Sequence, residues 1–182
     1  LRKKGEAVEV HAIGCFELAN GEDADWLDLS WGSRSQGAIG RLRHVEGVFS
    51  YFKKGDGNIR LKAELGGGGL ADIGVYPFGA TRFVSGAEPE SVTAQIDWEN
   101  GVDTFALVTA NFPGFTFSGT VSMRMALRQG MVFHGEAGVM RLPAPFNPPG
   151  YGEARIILDT ASGCRVERFT EARQYVTQVE AF

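Results

Sequence analysis

The sequence predicts an α+β domain built on an open, mainly antiparallel β-sheet with helices on one face. Three observations predict it. From Ser91 onward, short segments that alternate apolar and polar residues follow one another, joined by tight-turn residues. One segment, Leu70–Val84, instead repeats its apolar residues every three or four positions. Strand-like segments flank that helix on both sides, so helix and strands share one layer arrangement in which one sheet face is covered.

The chain has 182 residues, enough for one generous domain with a substantial core. Hydrophobic residues make up 43% and charged residues 22%, an ordinary globular balance. The formal net charge is −4, and the densest basic cluster is Arg2-Lys3-Lys4. Sequence-independent nucleic-acid binding is therefore not expected, because it needs charge that neutralises phosphates. No apolar run approaches the roughly 18–20 residues that cross a bilayer, and no charged-then-apolar signal segment opens the chain, so no membrane partner is expected. Cys15 and Cys164 suit neither a disulfide framework nor a metal site, and read as reduced thiols of a cytoplasmic protein. His11, His44 and His134 are too scattered for metal ligation. The Leu at position 1 and a tail that looks like a helix being launched predict a piece of a longer protein.

Taken in order, Ala7–Ile13 alternates like a strand. Ala19–Asp25 is an acidic loop, with Asp23 or Asp25 placed to cap a short helix through Trp26, Leu27, Leu29 and Trp31. Arg41–Phe52 reads as a strand with Arg43, Val45, Gly47, Phe49 and Tyr51 on one side. Lys53–Asn58 is turn chemistry. In Leu70–Val84 the buried stripe is Leu70, Ile73, Pro77, Ala80 and Val84; Gly86 ends the helix, with Glu88-Pro89 just beyond it. Ser91–Trp98, Val102–Phe112 and Phe115–Met123 are strands separated by Glu99-Asn100-Gly101 and Pro113-Gly114 turns. Met131–His134 pairs with Gly138–Leu142, and Arg155–Asp159 with Cys164–Phe169, continuing an antiparallel meander. Pro143–Gly150 reads as a long surface loop. Residues 171–182 place Tyr175, Val179 and Phe182 on one side of a last helix.

The chemistry concentrates at Gly66–Tyr76. Four glycines before a helix can present backbone N–H groups to an anion, or let the helix end pack tightly on a neighbour. The spacing is neither G-x-G-x-x-G nor followed by G-K-[ST], which favours close packing. Asp72 and Tyr76 stand four residues apart and share a helix face. A carboxylate can orient a phenol, and a phenol near a cation can lose its proton below its usual pKa, which suits acid/base work on alcohols and carbonyls. The same spacing is equally that of an early-turn Asp favoured by the helix dipole beside a Tyr packed on the sheet.

The pattern Glu64-Leu65-Gly66-Gly67-Gly68-Gly69-Leu70-Ala71-Asp72-Ile73-Gly74-Val75-Tyr76-Pro77, preceded by Gly37–Leu42 and Asn58-Ile59-Arg60 and followed by Ala80-Thr81-Arg82-Phe83 and Gly86-Ala87-Glu88-Pro89, resembles the C-terminal domain of the Gfo/Idh/MocA oxidoreductases. The tail Tyr175–Phe182 is similar to that family's closing segment. Tyr at 76 and Asn58-Ile59-Arg60 resemble the branch that contains glucose–fructose oxidoreductase and dihydrodiol dehydrogenase. Residues 1–36 depart from the family pattern, leaving 37–182 as the substrate-binding and dimerisation domain.

The resemblance implies a domain of an NAD(P)-dependent dehydrogenase of sugars, polyols or diols, with Tyr76 and Asp72 catalytic and Arg60 and Asn58 substrate-binding. NAD or NADP would serve the intact enzyme. Neither the family's Rossmann domain nor its Glu-Lys-Pro motif lies in this sequence, so this chain is expected to be inactive alone, with no cofactor-binding or metal residues of its own. The open sheet face would make a homo-oligomer. The alternative is a non-catalytic dimerising or ligand-binding domain.

Overall fold

The computed structural model describes residues 38–55 and 57–169. The strand expected over Ala7–Ile13, the helix around Trp26 and the helix over 171–182 lie outside the described residues, as do His11 and Cys15.

Among the described residues the strands are β1 (Leu42–Phe52), β2 (Ser91–Glu99), β3 (Val102–Phe112), β4 (Phe115–Ser122), β5 (Arg124–Gly135), β6 (Gly138–Leu142), β7 (Arg155–Thr160) and β8 (Gly163–Arg168). They form one sheet in the order β2-β3-β4-β1-β5-β6-β7-β8. The α-helices among the described residues are α1 (Val75–Ser85), entered through a π-helical turn at Leu70–Gly74, and the short α2 (Pro148–Tyr151).

The expected meander is interrupted. Strands β2 to β4 and β5 to β8 each run back and forth, but β4 and β5 are not neighbours, because β1 lies between them. It pairs parallel with β4 and antiparallel with β5. Turn residues report only neighbours in sequence, so a strand inserted from earlier in the chain leaves no local sign. Burial explains the central place: Val45 is fully buried, and Gly47 and Phe49 face α1 with it. Gly47 is required there, because a Cβ would stand 2.7 Å from Cβ of Pro77 on the helix. Around this contact pack Phe117 and Val121 of β4 and Met131 and Phe133 of β5.

The helical stripe forms as expected, with Ile73, Pro77, Ala80 and Val84 buried and Leu70 half-buried. Gly86 stops α1 in the left-handed region at φ 63°, its N–H donating to the Arg82 carbonyl at 2.9 Å. The Asn100-Gly101 turn has φ values of 50° and 80°, the sign pair of a type I′ hairpin. Strand β2 alternates as read, yet it is an edge: Val92 and Trp98 remain exposed.

One expectation is overturned. Residues 143–150 do not run over the surface, because Ala144 and Phe146 are buried and the segment ends in α2. The cause is Gln129 on β5, whose Oε1 accepts from the Phe146 and Asn147 N–H groups at 3.3 and 3.0 Å. With those donors satisfied, the aromatic ring can enter the core. Strand β5 also begins earlier than its apolar alternation suggests, at Arg124. No helix among the described residues is long and apolar enough to cross a membrane.

Candidate active site

The site lies where the C-terminal end of β1, the turns after it and the start of the helix meet. Asn58 opens that segment. Its Oδ1 accepts from the Arg60 N–H at 3.0 Å and caps a short 3₁₀ turn, Ile59–Leu61. Asn58 therefore fixes the backbone that carries Arg60, and it is not among the residues lining the cleft.

The glycine run serves close packing. A Cβ at Gly67 would stand 2.5 Å from the Arg60 carbonyl oxygen, and one at Gly68 would meet Asp103 Oδ1 at 2.1 Å. Asp103, buried on β3, turns its other oxygen to the helix start, where Oδ2 accepts from Leu70 N–H at 2.7 Å. An internal carboxylate thus takes the place that an anionic ligand takes at other helix N-termini. This turn does not fit a dinucleotide pyrophosphate.

Asp72 sits in the π-helical turn and meets two partners. Its Oδ1 lies 2.7 Å from Arg60 Nε, and its Oδ2 accepts from the Tyr51 hydroxyl at 2.8 Å. The Asp72 side chain is 22% exposed, so its carboxylate is more shielded than those of the other ion pairs, while the Arg60 side chain stays 42% exposed. Burial first, and then the hydrogen bond to Asp72, push the Tyr51 phenol well above its ordinary range. Tyr51 is therefore a fixed donor. The Asp72 hydrogen bond and charge likewise raise the Arg60 pKa, with smaller contributions from Tyr51 and Tyr76. The phenol expected to be oriented by Asp72 was that of Tyr76; the carboxylate instead engages Tyr51, which faces it from β1.

Tyr76 is held by its ring. Phe49 meets it edge-on with centroids 5.3 Å apart, and Phe146 lies 5.4 Å away. Phe49 and Phe146 are themselves stacked at 5.3 Å. Phe49 and Tyr76, backed by the buried Phe146, wall a cleft of about 460 Å³ into which Tyr51, Lys53, Arg60, Asp72, Tyr76, Gln129 and Asn147 bring polar groups. Of the expected site residues, the structure brings Asp72, Tyr76 and Arg60 together here. Tyr51, Lys53, Gln129 and Asn147 belong to no functional motif in the sequence. Tyr51 had a signal, since it shares the inner side of β1 with Phe49; Gln129 and Asn147 sit in segments without periodicity. No group of three or more potential metal-ligating side chains occurs among the described residues.

Residues 34–141 match the model of the GFO/IDH/MocA C-terminal domain. The chain belongs to the GFO/IDH/MocA oxidoreductase family. An uncharacterised oxidoreductase of Rhizobium meliloti is 36% identical over 156 residues, covering 81% of this chain and 47% of that protein. A dTDP-3,4-didehydro-2,6-dideoxy-α-D-glucose 3-reductase of Actinomadura kijaniata is 32% identical over 157 residues, covering 84% of this chain and 42% of its own length. The chain thus spans about half the length of the curated relatives it matches. A solved 3-ketoreductase from Actinomadura kijaniata, in complex with NADP and TDP-benzene, superposes with a TM-score of 0.72 at 26% identity, covering 87% of this chain and 48% of that one. The aldose-aldose oxidoreductase of Caulobacter crescentus, complexed with glycerol, shares the fold with a TM-score of 0.69 at 22% identity, over 79% of this chain and 44% of that one.

Proposed function

We propose that this chain is the substrate-binding and oligomerisation domain of an NADP-dependent oxidoreductase acting on a sugar, polyol or diol. The observation that carries the reading is the convergence of Tyr76, Asp72 and Arg60 in one cleft backed by aromatic rings. The sugar-reductase names of the relatives and the NADP bound to a structural neighbour support it.

Tyr76 is the proton-transfer residue: its hydroxyl gives a proton to the substrate oxygen in reduction, and its phenolate takes one in oxidation. Among the described residues, Arg60 is a cation of this cleft, alongside Lys53, whose charge favours the phenolate left behind. Asp72 positions Arg60, with Tyr51 fixing the carboxylate from the other side, and Asn58 sets the turn from which Arg60 extends. Hydride exchange at the substrate carbon is the chemistry that the dinucleotide supplies in the intact enzyme. The glycine turn is closed by Asp103, so dinucleotide binding is assigned to a part of the enzyme outside these residues.

The oligomer contact is assigned to the sheet face opposite α1. His44, Thr116, Ser118 and Thr120 lie there in register, with the His44 ring held by Thr116 and Ser118 hydroxyls at 2.7 and 3.0 Å. Such a face, half-apolar and rich in hydroxyls, suits pairing with a second copy.

The test is Tyr76→Phe in the full-length protein. A loss of about 10²-fold or more in kcat with an unchanged melting temperature is expected. Wild-type turnover in the variant refutes the assignment.

A further inference from the structure

We infer that Gln129 is a specificity-determining residue that donates a hydrogen bond from Nε2 to a substrate oxygen next to the one served by Tyr76. The inference rests on the proposed function and deepens it.

Gln129 is 5% exposed, yet it lines the cleft. Its amide orientation is fixed chemically. Only the oxygen of an amide accepts, and here that atom takes two backbone N–H donors, those of Phe146 and Asn147. Nε2 must then point away from the 143–150 segment. Among the described residues it has no partner. A buried amide N–H₂ without an acceptor is costly, and natural proteins rarely tolerate one outside functional sites.

Its position is equally defined. Gln129 is the cross-strand partner of Phe49, and the Phe49 ring meets the Tyr76 ring edge-on. The unsatisfied donor therefore lies one aromatic ring from the proton-transfer residue. The matching ligand chemistry is a neutral oxygen acceptor, a hydroxyl, carbonyl or ring oxygen, as carried by carbons adjacent to a reacting sugar carbon. A site built to bond such an oxygen discriminates strongly against an analogue that lacks it, because the donor is then left buried and unpaired. The neighbouring apolar groups Phe49 and Ile73 cannot supply that discrimination.

The experiment uses the full-length enzyme with a panel of sugars and their monodeoxy analogues, followed by NADPH absorbance. Gln129→Glu is the informative variant: a carboxylate still accepts from the Phe146 and Asn147 N–H groups but cannot donate. Gln129→Leu removes both functions. In the wild type, one deoxy position is expected to lower kcat/KM by about tenfold or more. Gln129→Glu is expected to lower kcat/KM for the parent sugar by a similar factor, and to match wild type on that deoxy analogue. Gln129→Leu is expected to melt at a lower temperature as well. Two results overturn the inference alone: a flat deoxy series in an active wild type, which needs no variant to fold, or an equal loss in Gln129→Glu on every analogue. A wild type that oxidises or reduces no member of the panel overturns the functional reading, and this inference with it.

Discussion

Asp103 Oδ2 accepts from the Leu70 N–H at 2.7 Å, so a strand carboxylate closes the start of the helix that bears Asp72 and Tyr76. Gly68 is the other half of that contact, since a Cβ there would run into the Asp103 carboxylate, while Gly67 lies against the Arg60 carbonyl. Asp103→Ala is expected to cost about 1–2 kcal/mol, the scale of a lost N-cap. Asp103→Asn, which keeps an acceptor oxygen, is expected to cost less. Gly68→Ala combines φ +135° with a contact of 2.1 Å to Asp103 Oδ1, and its cost is expected to reach at least that of Asp103→Ala. Urea unfolding ranks the three; a neutral Gly68→Ala refutes the packing role.

Gly47→Ala probes the seat of the helix. The added Cβ would meet Pro77 Cβ at 2.7 Å and Met131 Sδ at 3.1 Å. Overpacking of this kind costs about 1–3 kcal/mol. Because Pro77 directly follows Tyr76, full-length enzyme carrying this change is expected to lose kcat beyond what its stability loss explains at a temperature where it is fully folded. Kinetics and melting on the same preparation decide it, and unchanged kcat refutes the coupling.

Tyr51 makes the alkaline limb of stability testable. Its folded-state pKa is raised, by burial and then by Asp72, above the unfolded value of about 10. The protonated form is thus favoured in the folded protein. Its contribution is fully present below about pH 10 and is lost as pH rises toward the folded-state pKa, because the unfolded chain then binds fewer protons. Tyr51→Phe is expected to flatten this decline, and to lower stability at neutral pH by about 1 kcal/mol through the lost bond to Asp72. Denaturant titrations at neutral pH and above pH 10 measure both; an unchanged alkaline slope in the variant counts against the assignment.

Phe146→Ala should be among the most damaging changes in the domain. The ring is 1% exposed and touches both Phe49 and Tyr76. Truncating a buried Phe costs about 3–5 kcal/mol. Phe146→Leu keeps most of the volume and is expected to cost about half as much while still loosening the Tyr76 ring, so kcat falls more than stability. Equal effects of the two variants would show that the retained volume counts for nothing and that the ring itself is what matters there.

Much of this was legible in the chain itself. The helix from Leu70, its Gly86 stop, and the hairpins at Asn100-Gly101 and Pro113-Gly114 each follow from local rules of backbone conformation and periodicity. Asp72, Tyr76 and Arg60 were legible through the resemblance of their surrounding motif. What escaped was non-local. Nothing near Phe146 says that Gln129, 17 residues earlier, will satisfy its backbone and draw it inward. Nothing near Asp72 says that Tyr51 will be its phenol. The glycine run was ambiguous until Asp103 supplied the carboxylate that settles it.

The place of β1 bears on how the domain assembles. Among the described residues it is the first strand to be synthesised, yet His44 meets Thr116 only 72 residues later, and Leu42 meets Gly135 later still. Loop-closure entropy must be met before either pairing is rewarded, which slows folding. On the ribosome, the chain must therefore keep an apolar segment waiting until β4 and β5 have both emerged. Nascent chains that stop short of Gly135 have no completed sheet centre.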